Sequence, residues 1–188
     1  MRAARVRRSA VVLVTVAAAA TLSLTAALAR PSFPPANCAH RTDAGPVGNL
    51  RARYNVVVGP LSFDGLAGYA QPPLNKRPGY WMKSGARLLA GHTVTVTITG
   101  TARLSTGFVG YGREDGRTTL ADSRGSVTFT SCAAHASPTG GQPMTFWSGG
   151  FAAPPAPACI PLNFYIDHSR VPRRVVISLA AGTCPDAR

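Results

Sequence analysis

Asp167-His168-Ser169 puts the three side-chain types of a nucleophile, base and orienting acid in a row, and Glu114-Asp115 sets two carboxylates side by side. Neither spacing performs the chemistry it suggests. Neighbours in a strand point to opposite faces, so three consecutive residues cannot relay a proton to one another. His168 has the parity of Leu162, Phe164 and Ile166 and is expected at a sheet rim, bonded to a loop carbonyl. Glycoside hydrolysis needs two carboxyl groups about 5–10 Å apart across a sugar. Glu114, the only glutamate, instead shares a charged tip with Arg113, Asp115 and Arg117. No spacing favours a pair drawn from Asp43, Asp64, Asp122 and Asp167. Trp147-Ser148-Gly149 lacks the leading glycine of a nucleophile elbow, and Gly107, Gly110 and Gly112 have the wrong order for a dinucleotide loop. The sequence implies no cofactor.

Cys38, Cys132, Cys159 and Cys184 are an even set. In an exported chain they are expected to form two disulfides, in one of three connectivities. The preferred pairing is Cys132 with Cys159, clamping the Pro/Gly-rich stretch between them, and Cys38 with Cys184, tying the domain ends. Cys38-Ala-His40 and Cys132-Ala-Ala-His135 offer a four-ligand zinc alternative that leaves Cys159 and Cys184 to pair. Its spacings match no established zinc pattern, so no metal is expected. His92, in Ala90-Gly91-His92-Thr93, reads as a solvated loop histidine.

The residues suited to binding are aromatic and basic. Tyr80-Trp81, Tyr111, Phe146-Trp147 and Tyr165 are candidates for a sugar platform or a hydrophobic contact, large rings being enriched at recognition surfaces. Core packing is the competing assignment, above all for Trp81 and Trp147. Tyr165 lies on the outward parity of its strand. With Arg170, Arg173 and Arg174 close by in the sequence, it composes a basic, aromatic patch suited to an anionic glycan or a phosphate-bearing polymer.

The elements that must position these residues are strands. Thr93 to Thr99 alternates, with Val94, Val96 and Ile98 on one face and threonines on the other, the period of a half-buried antiparallel strand. Ser126–Ser131, Leu162–Asp167 and Arg174–Leu179 follow the same rule. Tyr54–Phe63, Tyr80–Leu89, Phe108–Gly112 and Pro143–Phe151 are less regular candidates. Asp115-Gly116 is a two-residue hairpin signal. No window after residue 30 carries a helical stripe. The fold expected is all-β: an antiparallel β-sandwich of seven to nine strands, jelly-roll or immunoglobulin-like, preceded by an N-terminal signal helix. With 14% charged residues against an ordinary 25% or so, and with 19 glycines and 16 prolines, the 188-residue chain is neither a coiled coil nor a disordered polyelectrolyte.

Arg2, Arg5, Arg7 and Arg8 precede an uncharged run, residues 10–29, that ends Ala27-Leu28-Ala29. These are the parts of a secretory signal peptide cleaved after Ala29. The alternative is an uncleaved single-pass anchor, the run being just long enough to span a bilayer. The expected organisation is a signal segment over 1–29, an extended proline-rich lead-in over 30–53 pinned by Cys38, and the sandwich over 54–188. Cleavage removes four of the 20 basic residues and no acid, leaving 16 against 7 and a net charge of +9. Arginine makes up 18 of the 20, so its abundance argues weakly for nucleic acid, and none is expected. A basic exported protein meets anionic envelope polymers through its summed field.

VTFTSC, TFWSGGF, PACIPLNFYID and PRRVVISLAAGTC together resemble small exported β-sandwich proteins of GC-rich Gram-positive bacteria. That resemblance, over residues 54–184, implies secretion, disulfides and the sandwich, and supplies no catalytic residue. The expected function is a non-catalytic, secreted or envelope-associated binding module for an anionic cell-wall polymer or a protein partner. Alternatives are a secreted hydrolase whose site is assembled from non-adjacent loops, with His168 beside Asp64 or Asp122, and a structural or assembly subunit.

Overall fold

A computed structural model describes residues 35–40, 49–70, 81–112, 119–132, 143–152, 154 and 156–185. The chain divides into units of residues 1–32 and 33–188, and everything described belongs to the second. The signal segment, Tyr80, Glu114, the Asp115-Gly116 turn and His135 lie outside the described residues.

The described chain is all-β. Eleven strands form three antiparallel sheets: β1 (Val56–Val58), β2 (Leu61–Phe63), β3 (Trp81–Lys83), β4 (Ala86–Leu89), β5 (Thr93–Ile98), β6 (Gly107–Val109), β7 (Ser126–Thr130), β8 (Met144–Trp147), β9 (Gly150–Ala152), β10 (Ala158–Ile166) and β11 (Arg173–Leu179). Their orders are β1-β2-β4-β8, β11-β10-β5-β7 and β3-β9-β6. The expected seven to nine strands become eleven for a local reason. Three of the irregular candidates each break into two strands: at Gly59-Pro60 between β1 and β2, at Ser84-Gly85 between β3 and β4, and at Ser148-Gly149 between β8 and β9. Gly59 has φ +59°, and a Cβ there would run into the Ile166 side chain. Only glycine meets both conditions at no steric cost. The helical segments among the described residues are short 3₁₀ turns at Cys38–His40, Leu66–Ala70 and Gly100–Leu104.

The three sheets share one core. Phe63 of β2, fully buried, packs against Phe108 of β6 and Phe151 of β9 with ring centroids 6.4 and 5.7 Å away, and against Phe129 of β7 and Phe164 of β10 at 6.0 and 6.2 Å. Most of these contacts are edge-on or tilted, the geometry aromatic quadrupoles favour. The alternation read in the sequence is what delivers these rings. Along β5, Val94, Val96 and Ile98 are buried while Thr93, Thr95 and Thr97 face outward. Trp147 and Tyr111 are core residues rather than platform residues. Trp147 Nε1 donates to the Asn37 carbonyl at 3.2 Å, and the Tyr111 hydroxyl donates to the Ser84 carbonyl at 2.5 Å. Burial drives the Tyr111 pKa well above its usual value.

The disulfides are Cys38–Cys132 and Cys159–Cys184, with Cα–Cα distances of 5.4 and 5.7 Å. This corrects the expected Cys132–Cys159 and Cys38–Cys184 pairing. The physical reason lies in the lead-in. Ala36 makes a parallel bridge with Phe129, its N–H donating to Thr128 O and its carbonyl accepting from Thr130 N–H, both at 3.0 Å. Two residues further along that parallel register, Cys38 lies beside the end of β7, where Cys132 follows. At the other site, Cys159 opposes Ser178 across β10 and β11. The turn after Leu179, with positive φ at Ala180 and Gly182, folds Cys184 back onto it. Because Cys38 and Cys132 are joined to each other, neither offers the thiolate of the zinc alternative.

Candidate functional site

The outer face of β11-β10-β5-β7 carries aligned rows of polar side chains. Register places Ser126, Thr97, Asn163 and Arg174 in one row, and Thr128, Thr95 and Tyr165 in the next. Cross-strand hydroxyls bond to each other: Thr95 Oγ1 lies 2.9 Å from Thr128 Oγ1, and Thr97 Oγ1 lies 3.0 Å from Ser126 Oγ. Tyr165 is half-buried and Arg174 exposed. Arg174 opposes Asn163, so it stands diagonal to Tyr165 on the same face, about 7–8 Å away by the usual antiparallel geometry. Arg170 is exposed in the β10–β11 connection beside Val171, itself 76% exposed.

Arg173 does not join this group. It opposes Phe164, whose ring is in the core, so it has the inward parity at the sheet end, and its guanidinium lies near Gly59. Trp81 is separated as well. It belongs to β3 in the three-stranded sheet, opposite Ala152, with its indole N–H buried and without a hydrogen-bond partner among the described residues. The basic, aromatic patch read from the sequence thus reduces to Tyr165, Arg170 and Arg174.

A second polar cluster arises where β5 begins and β10 ends. Asp167 Oδ2 lies 2.8 Å from His92 Nδ1, and Thr93 N–H donates to Asp167 Oδ1 at 3.0 Å. The Asp167 N–H returns a 2.8 Å bond to Thr93 O. These contacts hold the Asp167 carboxyl below the usual aspartate range, the Thr93 amide first and His92 second. Ser131 sits alongside: its N–H donates to His92 O at 3.0 Å, and its Oγ accepts the His92 N–H at 3.1 Å. The carboxylate therefore addresses the ring nitrogen that an orienting acid would, while the serine oxygen is engaged by backbone. His92 is not simply solvated, as its sequence context suggests. Sequence spacing gave no hint of the pair, whose members are 75 residues apart.

His168 departs from its expected place. Asp167 and His168 have φ of 50° and 64°, and Ser169 N–H donates to Ile166 O at 3.0 Å, the marks of a type I′ turn. The strand ends at Ile166, so strand parity stops there and His168 is exposed on the turn. Asp64 and Asp122 are committed elsewhere. Asp64 accepts from Arg87 Nε at 2.7 Å and from Asn55 Nδ2 at 3.2 Å. Partial burial nevertheless raises its pKa, against the pull of Arg87. Arg87 also lies over the Phe146 ring, 4.9 Å from its centroid, which accounts for that aromatic. Asp122 accepts from Thr119 Oγ1 at 2.5 Å.

Among the described residues no three His, Cys, Asp or Glu side chains converge to hold a metal, and no helix is long and apolar enough to cross a membrane. Two disulfides suit an oxidising compartment. The chain matches no protein-family model, no curated protein and no solved structure.

Proposed function

We propose that the protein is an exported β-sandwich, released by cleavage after Ala29, that acts without catalysis as an envelope-associated binding module for an anionic cell-wall polymer. The observation that carries the reading is the placement of Tyr165 and Arg174 on one outer sheet face, with Arg170 exposed in the connection beside it. A ring and guanidinium groups so arranged offer a stacking surface for a sugar and donors for phosphate or carboxylate. The net charge of +9 expected after cleavage favours the same partner through its summed field. The test is co-sedimentation of the exported protein with purified cell walls before and after extraction of their anionic polymer. Retention lost on extraction, and weakened in Arg170→Ala/Arg174→Ala, supports the reading. Equal retention by both wall preparations and by the variant counts against it.

A second reading, a secreted hydrolase with a site built from non-adjacent loops, is favoured by the side chains of His92 and Asp167 meeting from separate segments through Nδ1 and Oδ2. In it His92 acts as the general base, oriented by Asp167. Covalent labelling of the protein by a fluorophosphonate, abolished in His92→Ala, supports that reading; an unlabelled protein without esterase activity removes it.

A further inference from the structure

Resting on the reading that the outer face of β11-β10-β5-β7 is the ligand face, we propose that the uncharged centre of this face is a subsite for a neutral polysaccharide chain. Every outward side chain of β5 and β7 is a hydroxyl: Thr93, Thr95 and Thr97 on one strand, Ser126, Thr128 and Thr130 on the other. Alternate residues of a strand recur about every 6.7 Å, and neighbouring strands lie about 4.8 Å apart, so the hydroxyls form a regular grid. The observed bonds at 2.9 and 3.0 Å between facing hydroxyls fix two rows of it.

A hydroxyl carries one donor and two acceptor sites, and one mutual bond does not exhaust a pair. The Thr95–Thr128 pair keeps one proton and several lone pairs for an outside partner, whereas in the Thr97–Ser126 pair Ser126 Oγ also donates to Val96 O at 3.1 Å, so that pair offers acceptor sites only. Next to these rows on β10, the Asn163 carboxamide and the Tyr165 hydroxyl have no hydrogen-bond partner among the described residues. An amide, a phenol ring and a bank of hydroxyls are the groups that bond sugar hydroxyls and stack on a pyranose face.

Charge decides the class of ligand. No outward position of β5 or β7 is ionisable, and the charges of the face stand at its margins, Arg174 on β11 and Asp167 beyond the end of β10. A polyelectrolyte lying across the centre would be desolvated with no counter-charge beneath it, whereas an uncharged, hydroxyl-rich chain exchanges its hydrogen bonds with water for equivalent ones. On this account the centre binds neutral sugar residues, and an anionic substituent reaches the arginine margin.

The experiment is calorimetry and amide-shift mapping of the full exported protein with chitohexaose and cellohexaose as neutral probes and polygalacturonate as the anionic one. Two variants accompany it. Thr95→Val/Thr97→Val/Thr128→Val removes three hydroxyls while keeping β-branched strand residues, and Asn163→Ala keeps the test valid if the triple variant does not fold. The expected result is saturable binding of a neutral oligosaccharide, with shifts on β5, β7 and β10, weakened tenfold or more in either variant. Neutral binding that is absent, maps elsewhere or is unchanged in both variants overturns the proposal. Polygalacturonate binding at Arg170 and Arg174 without neutral binding overturns the subsite while leaving the anionic reading standing. Silence toward all three probes overturns both.

Discussion

Asp167 and His92 meet as a 2.8 Å contact between Oδ2 and Nδ1, and the other oxygen of the same carboxylate takes the amide proton of Thr93. Through these bonds one side chain latches the end of β10 to the start of β5. Its carboxyl pKa is lowered in the folded protein. The stability it contributes is therefore fully present above the ordinary aspartate value of 3.8 and is lost as pH falls through the lower folded value. Asp167→Asn is expected to lower the urea midpoint at pH 7, and the gap from wild type is expected to narrow towards pH 3. A gap that widens on acidification has the wrong sign for this latch.

Asp64 carries the opposite sign. Burial raises its pKa despite Arg87, so its ionised form costs stability above the folded value, and that cost is relieved as pH falls through it. Arg87→Ala removes the charge-assisted bond and the contact with Phe146 and leaves a part-buried carboxylate. The expected loss is about 1.5–3 kcal/mol at pH 7, the range for hydrogen bonds to charged groups. Because protonation then relieves the stranded carboxylate, the loss is expected to be smaller at pH 4. Denaturant curves at the two pH values check both size and direction.

The two disulfides close loops of different length, with sequence separations of 94 and 25. In the chain-entropy account their removal costs about 4.7 and 3.5 kcal/mol respectively. Cys38→Ala/Cys132→Ala is accordingly expected to be the more destabilising double variant, by about 1 kcal/mol. The same variant also frees the lead-in that Ala36 docks on β7, so hydrogen exchange is expected to quicken at Ala36 and Thr130 in this variant and not in Cys159→Ala/Cys184→Ala.

Phe63 of β2 touches aromatic residues from both of the other sheets. Phe63→Ala is expected to cost about 3–5 kcal/mol by chemical denaturation, the range for truncating a buried phenylalanine. Phe146 also lies on a strand, but it is half-buried on the opposite face of its sheet, against Arg87. Its truncation is expected to cost less.

Much of this fold was written locally. The alternation of Thr93–Ile98 specifies which residues enter the core, and the same period reads correctly in β7, β10 and β11. Where a candidate strand contained its own turn, as at Gly59, Gly85 and Gly149, periodicity alone could not say that one segment was two strands. Disulfide connectivity was illegible for a different reason. It depends on Ala36 running parallel to β7, a single tertiary bridge with no signature in spacing. Of the binding residues, Tyr165 and Arg174 were placed on one face by parity and register. Arg173 was adjacent in sequence and fell on the other side, which is what a period of two demands of neighbours. The His92–Asp167 pair was hidden because its members meet only once β5 and β10 are in register.

The most direct test of the central claim is amide-shift mapping of the exported protein titrated with the anionic polymer extracted from its own cell wall. The account predicts saturable shifts confined to Tyr165, Arg170, Arg174 and the adjoining rows of β10 and β5, weakening as salt is raised. No shifts, or shifts centred on β1-β2-β4-β8, would contradict it.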